Sequence, residues 1–194
     1  MSGAGLILAS ASPRRLELLA QIGVVPSAVI APCIDETPAR DELPRLYAQR
    51  IARAKAAACP VADGTGMFVV AADTVVAVGR RILGKAEDEA GVRRCLSLLS
   101  GRRHHVISCV VVRAPDGRVS ERVVDSDVIF ARLEQARMDA YALCGEGIGK
   151  AGGYAIQGRA AAFVRQIGGS YSGVVGLPLF ETAQLLRGLG YSLP

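Results

Sequence analysis

Ser10-Ala11-Ser12-Pro13-Arg14-Arg15 follows directly on the short apolar run Leu6 to Ala9. A strand leading into a helix that begins at Pro13 aims free backbone N–H groups and the positive end of the helix dipole at one spot, which suits an anion. Ser12 is placed to cap that helix and Pro13 to open it. Arginine adds a planar fork matched to phosphate oxygens. Two cations at a helix N-terminus work against the dipole, and a bound phosphate would remove the conflict. The plain alternative is a capped helix carrying two solvated arginines.

Asp73 follows the apolar run Met67 to Ala72. A carboxylate at the carboxyl end of a central strand stands where open α/β sheets bind their ligands. It is suited to holding a divalent ion or taking a proton from water, with turn capping as the simpler role. Glu36, beside Asp35 in a polar loop, either completes a metal site or is merely solvated. Lys55, Lys85 and Lys150 are compact countercharges for phosphate. A lone lysine is by default a surface residue, and Lys150 stands out because glycines surround it. The runs Gly149 to Gly158 and Gly169 to Pro178 are dense in glycine. Glycine loses more chain entropy on folding than any other residue, and the usual return is close approach of backbone to a ligand.

Two tempting motifs fail. Gly79 to Lys85 matches the spacing of a phosphate-binding P-loop, but Ala86 stands where Ser or Thr should hold magnesium. Glu87 and Asp88 add negative charge there, and Ile82-Leu83 reads as strand. His104 and His105 have no spaced partners for zinc, so a place in the helix-to-strand connection is the better reading.

The elements that must position these residues follow from periodicity. Leu6 to Ala9 reads as a strand, and a helix with Leu16, Leu19 and Ile22 buried ends at Gly23. Val29 to Ala31 reads as a second strand. A helix starts near Pro44, with Tyr47, Ile51, Ala54 and Ala58 at helical spacing. Asp63 to Gly66 is a turn. A central strand at 67–72 delivers Asp73 at its end and continues extended to Val78, and Gly79-Arg80-Arg81 closes a small hairpin. A helix spans Glu87 to Leu99, followed by strands Val106 to Arg113 and Val119 to Phe130. Then come a helix from Leu133 to Leu143, the glycine-rich loop, a strand from Ala161 to Ile167, and a last helix opened by Pro178. The class is mixed α/β: a central mixed β-sheet flanked by helices, two lobes around a cleft, with 1–194 as a single domain.

Composition narrows the function. Lys and Arg number 23 against 18 Asp and Glu, for a formal charge of +5. That fits an anionic small molecule without demanding a polyanion. Five tyrosines, four phenylalanines and no tryptophan leave no stacking pattern, and no basic stripe is present, which weighs against a nucleic-acid partner. The cysteines at 33, 59, 95, 109 and 144 are odd in number and never paired as C-x-x-C, as expected of a reducing compartment. No apolar run is long enough to span a membrane, and the N-terminus lacks a signal-peptide pattern, so the expected location is cytoplasmic.

In order along the chain, Leu8 to Arg15, Asp35-Glu36, Lys55, Ala72 to Val76, Gly84-Lys85, Ser100-Gly101 with His104 and Val106, Lys150 to Gly158, and Gly169 to Pro178 together resemble the Maf family of nucleoside triphosphate pyrophosphatases. The resemblance spans nearly the whole chain. It implies a fold similar to inosine triphosphate pyrophosphatases and cleavage between the α- and β-phosphates with a divalent metal, Mg2+ or Mn2+. By position it implies Asp73 as the catalytic proton acceptor and Arg14, Thr74 and Gln157 at positions tied to substrate choice. It places Ser12, Arg15, Lys55 and Lys85 at phosphate-contacting positions, and Glu36 with Asp73 at the metal. Asp73-Thr74-Val75 with Ile156-Gln157-Gly158 looks like the branch acting on dTTP and UTP; the branch acting on 7-methyl-GTP is the alternative. The family is also linked with inhibition of septum formation, which leaves a nucleic-acid-binding or division regulator as the alternative of another class. A homodimer is left open. Ala86 departs from a common proline, and Ser108 from a common threonine, the latter expected to be without consequence.

Overall fold

The computed structural model describes residues 4–61 and 66–193. The turn expected at Asp63 to Gly66 falls mostly outside them. Among the described residues a single seven-stranded sheet runs in the order β2-β1-β3-β5-β6-β7, with β4 pairing only β3. The strands are β1 (Leu6–Ala9), β2 (Ala28–Ile30), β3 (Phe68–Val78), β4 (Arg81–Leu83), β5 (Arg103–Arg113), β6 (Val119–Phe130) and β7 (Val164–Gly168). β1 is parallel to β2 and β3, and the remaining pairs are antiparallel. The sheet is therefore mixed, as its mixture of helix and hairpin signals predicts.

Among the described residues six α-helices pack around it: α1 (Pro13–Gln21), α2 (Pro44–Ala58), α3 (Glu89–Leu99), α4 (Gln135–Leu143), α5 (Tyr171–Val175) and α6 (Leu179–Gly188). Helix α2 covers one face. Its Ala48, Ala52 and Ala56 lie against Ile7, Val69, Ala71, Val75, Ile107 and Val111. On the other face α1, α3, α4 and α6 close a larger core around Leu8, Val70, Ala72, Val110, Leu96 and Leu186. The alternation of Val69 and Ala71 with Val70 and Ala72 between the two clusters is the period of a strand buried on both faces.

Several local expectations change. Leu16 is 39% exposed while Arg15, Leu18 and Leu19 are buried, so α1 turns an arginine inward where leucine was expected. Ser12 occupies the N-cap position but its hydroxyl makes no cap hydrogen bond. Helix α3 begins two residues later than its acidic start suggests, because the Asp88 carboxylate accepts from the Gly91 N–H and caps it. Residues Arg159–Phe163 form a 3-10 turn before β7, and the short α5 inside the second glycine run has no sequence signal long enough to read. The hairpin at Gly79-Arg80 is as expected: Val78 pairs Arg81, and Gly79 takes φ 57°. Ile82-Leu83 therefore belong to a strand and cradle no phosphate.

Candidate active site

Asp73 does not end its strand. It lies in the middle of β3, two residues past Ala71, the last position paired with β1. The carboxyl end of β1 thus leaves a gap beside Asp73, and the chain turns there into Ser10, Ser12 and the head of α1. The location is the ligand-binding end of the parallel corner, reached because β3 outruns its neighbour.

A cleft of about 680 Å³ opens at this point. Ser12, Arg14, Arg15, Glu36, Lys55, Asp73, Thr74, Lys85 and Gln157 all line it, so every site residue expected from the sequence converges on one cavity. Those residues come from positions 12 to 157, on α1, α2, β3 and four loops. Lys150 of the glycine-rich loop lines the cleft too. Burial, with Arg14 nearby, lowers its pKa.

Two carboxylates meet across one ammonium. Lys55 Nζ lies 2.8 Å from Asp73 Oδ1 and 2.8 Å from Glu36 Oε1. Lys85 Nζ reaches Glu36 Oε2 at 3.1 Å. Asp73 and Lys55 are only 7% and 8% exposed, and a buried charge is tolerated only when paired. The helix explains how Lys55 arrives there: Ala48, Ile51, Ala52, Lys55 and Ala56 form the buried stripe of α2, so its ammonium extends inward toward β3. Burial alone would raise the Glu36 carboxyl, but Lys55 and Lys85 outweigh it and hold it below its ordinary range. Tyr47 donates its hydroxyl to the Glu36 carbonyl at 2.8 Å. Burial first, then the charges of Asp73 and Glu36, push that phenol up to about 12.

The opposite wall is held by Arg15. Its Nε donates to the Gly176 carbonyl at 2.8 Å and its Nη1 to Ser10 Oγ at 2.9 Å. Burial lowers its pKa. Part of its fork is therefore committed to the protein, which makes it a fixed positive wall. Ser10 Oγ also accepts from the Ser12 N–H at 3.1 Å. Ser10 belongs to the first motif, but nothing in its sequence context marks it as the hub of this loop.

Thr74 points to the sheet face opposite Asp73. Ser108 donates to the Gly173 carbonyl at 2.7 Å, and the Thr74 and Ser108 hydroxyls are 2.8 Å apart. The one Thr74 hydroxyl proton is shared between Ser108 and the Gly176 carbonyl, which lies 3.3 Å away. Ser108, whose hydroxyl a threonine would equally supply, is 1% exposed and links Thr74 to α5. Across the cleft, Gly152 explains one glycine of the rich run: at φ +67°, a Cβ would sit 2.8 Å from Val76 of β3. The loop thus presses on the strand that carries Asp73. Gln157 is exposed at the mouth.

His104 lies outside this chemistry. It is fully buried, with Nε2 2.8 Å from the Tyr154 hydroxyl, and it packs edge-on against Phe130 and Tyr154. Tyr154 itself lines the cleft, so His104 supports the glycine-rich loop from behind.

Among the described residues no group of three or more His, Cys, Asp or Glu converges as a metal cage. Glu36 and Asp73 nonetheless fit a hard divalent cation of the magnesium type. Such an ion is commonly held by one or two carboxylates together with water and substrate phosphates. The arrangement can hold a polyanion against Arg15, Lys85 and Lys150, and can place a carboxylate beside a water molecule.

The Maf-like protein family matches residues 5–189. A dTTP/UTP pyrophosphatase of Paramagnetospirillum magneticum is 60% identical over 187 residues, covering 96% of this chain and 98% of its own. A dTTP/UTP pyrophosphatase of Caulobacter vibrioides is 57% identical over 190 residues, covering 98% of each chain. Among solved structures, a HAM1 protein from Coxiella burnetii aligns over 95% of this chain and 98% of its own, at 18% identity and a TM-score of 0.48.

Proposed function

This chain belongs to the Maf-like protein family, and from that premise we propose that it hydrolyses dTTP and UTP between the α- and β-phosphates, giving the nucleoside monophosphate and pyrophosphate. The observation that carries the reading is the convergence of Asp73, Glu36, Lys55, Lys85, Arg15 and Ser12 on one cleft, together with relatives near 60% identity that act on those nucleotides. Residues 1–194 act as one domain. The unpaired cysteines support a cytoplasmic location. Among the described residues no helix is long and apolar enough to cross a membrane.

In the mechanism, Arg15 is a fixed charge at the wall, and Lys85 and Lys150 are the adjustable cations that meet the triphosphate tail. Ser12, whose hydroxyl is not spent on its own helix, offers a donor beside the α1 N–H groups. Asp73 accepts the proton of a water that attacks the α-phosphorus. The bond from that phosphorus to the bridging oxygen breaks, and its electron pair leaves with pyrophosphate. Glu36 and Asp73 are the residues that would hold a divalent cation, Mg2+ or Mn2+, which neutralises charge on the phosphate oxygens when bound. Alignment of water and fixed countercharge are the main catalytic terms. Arg14, Thr74 and Gln157 select the base, Thr74 by placing the loop at Gly176 and Gln157 by offering an amide to a pyrimidine edge.

A panel of nucleotides, scored for pyrophosphate and monophosphate with and without chelator, tests the reading. Cleavage of dTTP and UTP that is lost with chelator is expected. Preference for 7-methyl-GTP would move the chain to the other branch. Absence of turnover on every nucleotide, with salt-sensitive retention on DNA, would favour the regulator instead.

A further inference from the structure

Lys55 occupies the point on which both acids converge. Its Nζ is 2.8 Å from Glu36 Oε1 and 2.8 Å from Asp73 Oδ1, and its side chain is 10% exposed, as is that of Asp73. It reaches this position from the apolar stripe of α2, flanked by Ile51, Ala52 and Ala56. The main chain of α2 cannot withdraw without opening its contact with β3, so the position of Nζ is set by the rotation of one flexible stem.

We propose that Lys55 is a displaceable placeholder for the divalent cation, so that cation and nucleotide bind as a coupled pair. The proposal rests on the metal reading of Glu36 and Asp73 given above. A cation held by both carboxylates must take the place that the ammonium fills. Like charges at such separation repel strongly in a site shielded from water, so Nζ must leave and find another anion. Lys85 Nζ already faces Glu36 Oε2 at 3.1 Å, and the other cleft cations, Arg14, Arg15 and Lys150, offer an ammonium nothing. The remaining carboxylates on the cleft lining are Glu17 and Glu146, and the latter already accepts from the Arg159 N–H at 2.8 Å. A triphosphate is the partner that supplies negative charge beside the same carboxylates. Its arrival gives the ammonium a new partner and frees the two acids in one exchange. Each ligand therefore raises the affinity for the other by the same factor, and the two acids stay neutralised until nucleotide arrives.

The test is a Mn2+ titration of nucleotide-free protein followed by electron paramagnetic resonance, for the wild type, Lys55→Met, Lys55→Gln and Lys55→Met/Glu36→Gln. Circular dichroism melts confirm that each variant is folded. The wild type should bind Mn2+ weakly. Either neutral variant should bind it about tenfold tighter or more, a common size for coupled sites, and Glu36→Gln should remove the gain. Tight binding by the nucleotide-free wild type overturns the proposal without recourse to any variant. So does a folded neutral variant that binds no tighter, or a gain that survives Glu36→Gln. If chelator-sensitive cleavage of dTTP is present while the gain is missing, the enzymatic reading stands and only the placeholder falls. If the gain is present while no nucleotide is cleaved, the enzymatic reading falls.

Discussion

Arg15 Nε donates a 2.8 Å hydrogen bond to the carbonyl of Gly176, joining the first helix to a loop 161 residues further along the chain. The same carbonyl accepts from Thr74 at 3.3 Å. One backbone oxygen thus registers α1, β3 and the loop after α5 against each other, and the cleft wall is as rigid as those two contacts.

Removing that registration should cost stability as well as activity. Arg15→Ala loses two buried hydrogen bonds from a charged donor, a loss of about 2–3 kcal/mol. For a chain of this size that is a fall of roughly 5–10 °C in Tm. Arg15→Lys cannot make both bonds at once and should fall between the two. Calorimetry of the three proteins checks this, and an unchanged Tm for Arg15→Ala would show that the guanidinium holds nothing.

Asp73→Asn keeps the shape of the side chain and removes its basicity. Turnover should drop about 10²–10⁴-fold, the usual worth of a positioned general base, while the fold is retained. Pyrophosphate release at saturating dTTP measures it. Near-normal turnover would take the proton-acceptor role away from Asp73.

Gln157 is exposed at the mouth, where an amide offers both a donor and an acceptor to a pyrimidine edge. Gln157→Glu removes the donor and adds a charge. The ratio of kcat/KM for dTTP and UTP over purine nucleotides should fall, by about tenfold for one lost hydrogen bond. An unchanged ratio would place the base elsewhere.

Burial lowers His104 to about 4, against a smaller opposing pull from the Arg102 backbone. An unfolded histidine titrates near 6.5. Between those values the unfolded chain holds the extra proton, so stability is full above about pH 6.5 and declines as pH falls toward 4. The loss from pH 7 to pH 5 should be on the order of 2 kcal/mol from this residue. Urea denaturation at the two pH values measures it. His104→Gln should flatten that slope, and an equally steep slope in the variant would assign it to other groups.

Local pattern was enough for the strand at Leu6 to Ala9, the helix opened by Pro13, the buried run before Asp73 and the rejection of the Gly79 to Lys85 look-alike. Each of these is written in residues that are neighbours along the chain. Lys55 was half legible: helical spacing puts it four residues after Ile51 on an apolar stripe, which is an odd place for a charge, but its partner cannot be read from the helix. Only the tertiary structure turned Arg15 inward and Leu16 outward, gave Ser108 a task, and set Asp73 in mid-strand at the gap left by the short β1. The contacts responsible join residues 18, 34, 49 and 161 positions apart. Such contacts leave no period in the sequence, because they are decided by which strands pair and by where one strand outruns another.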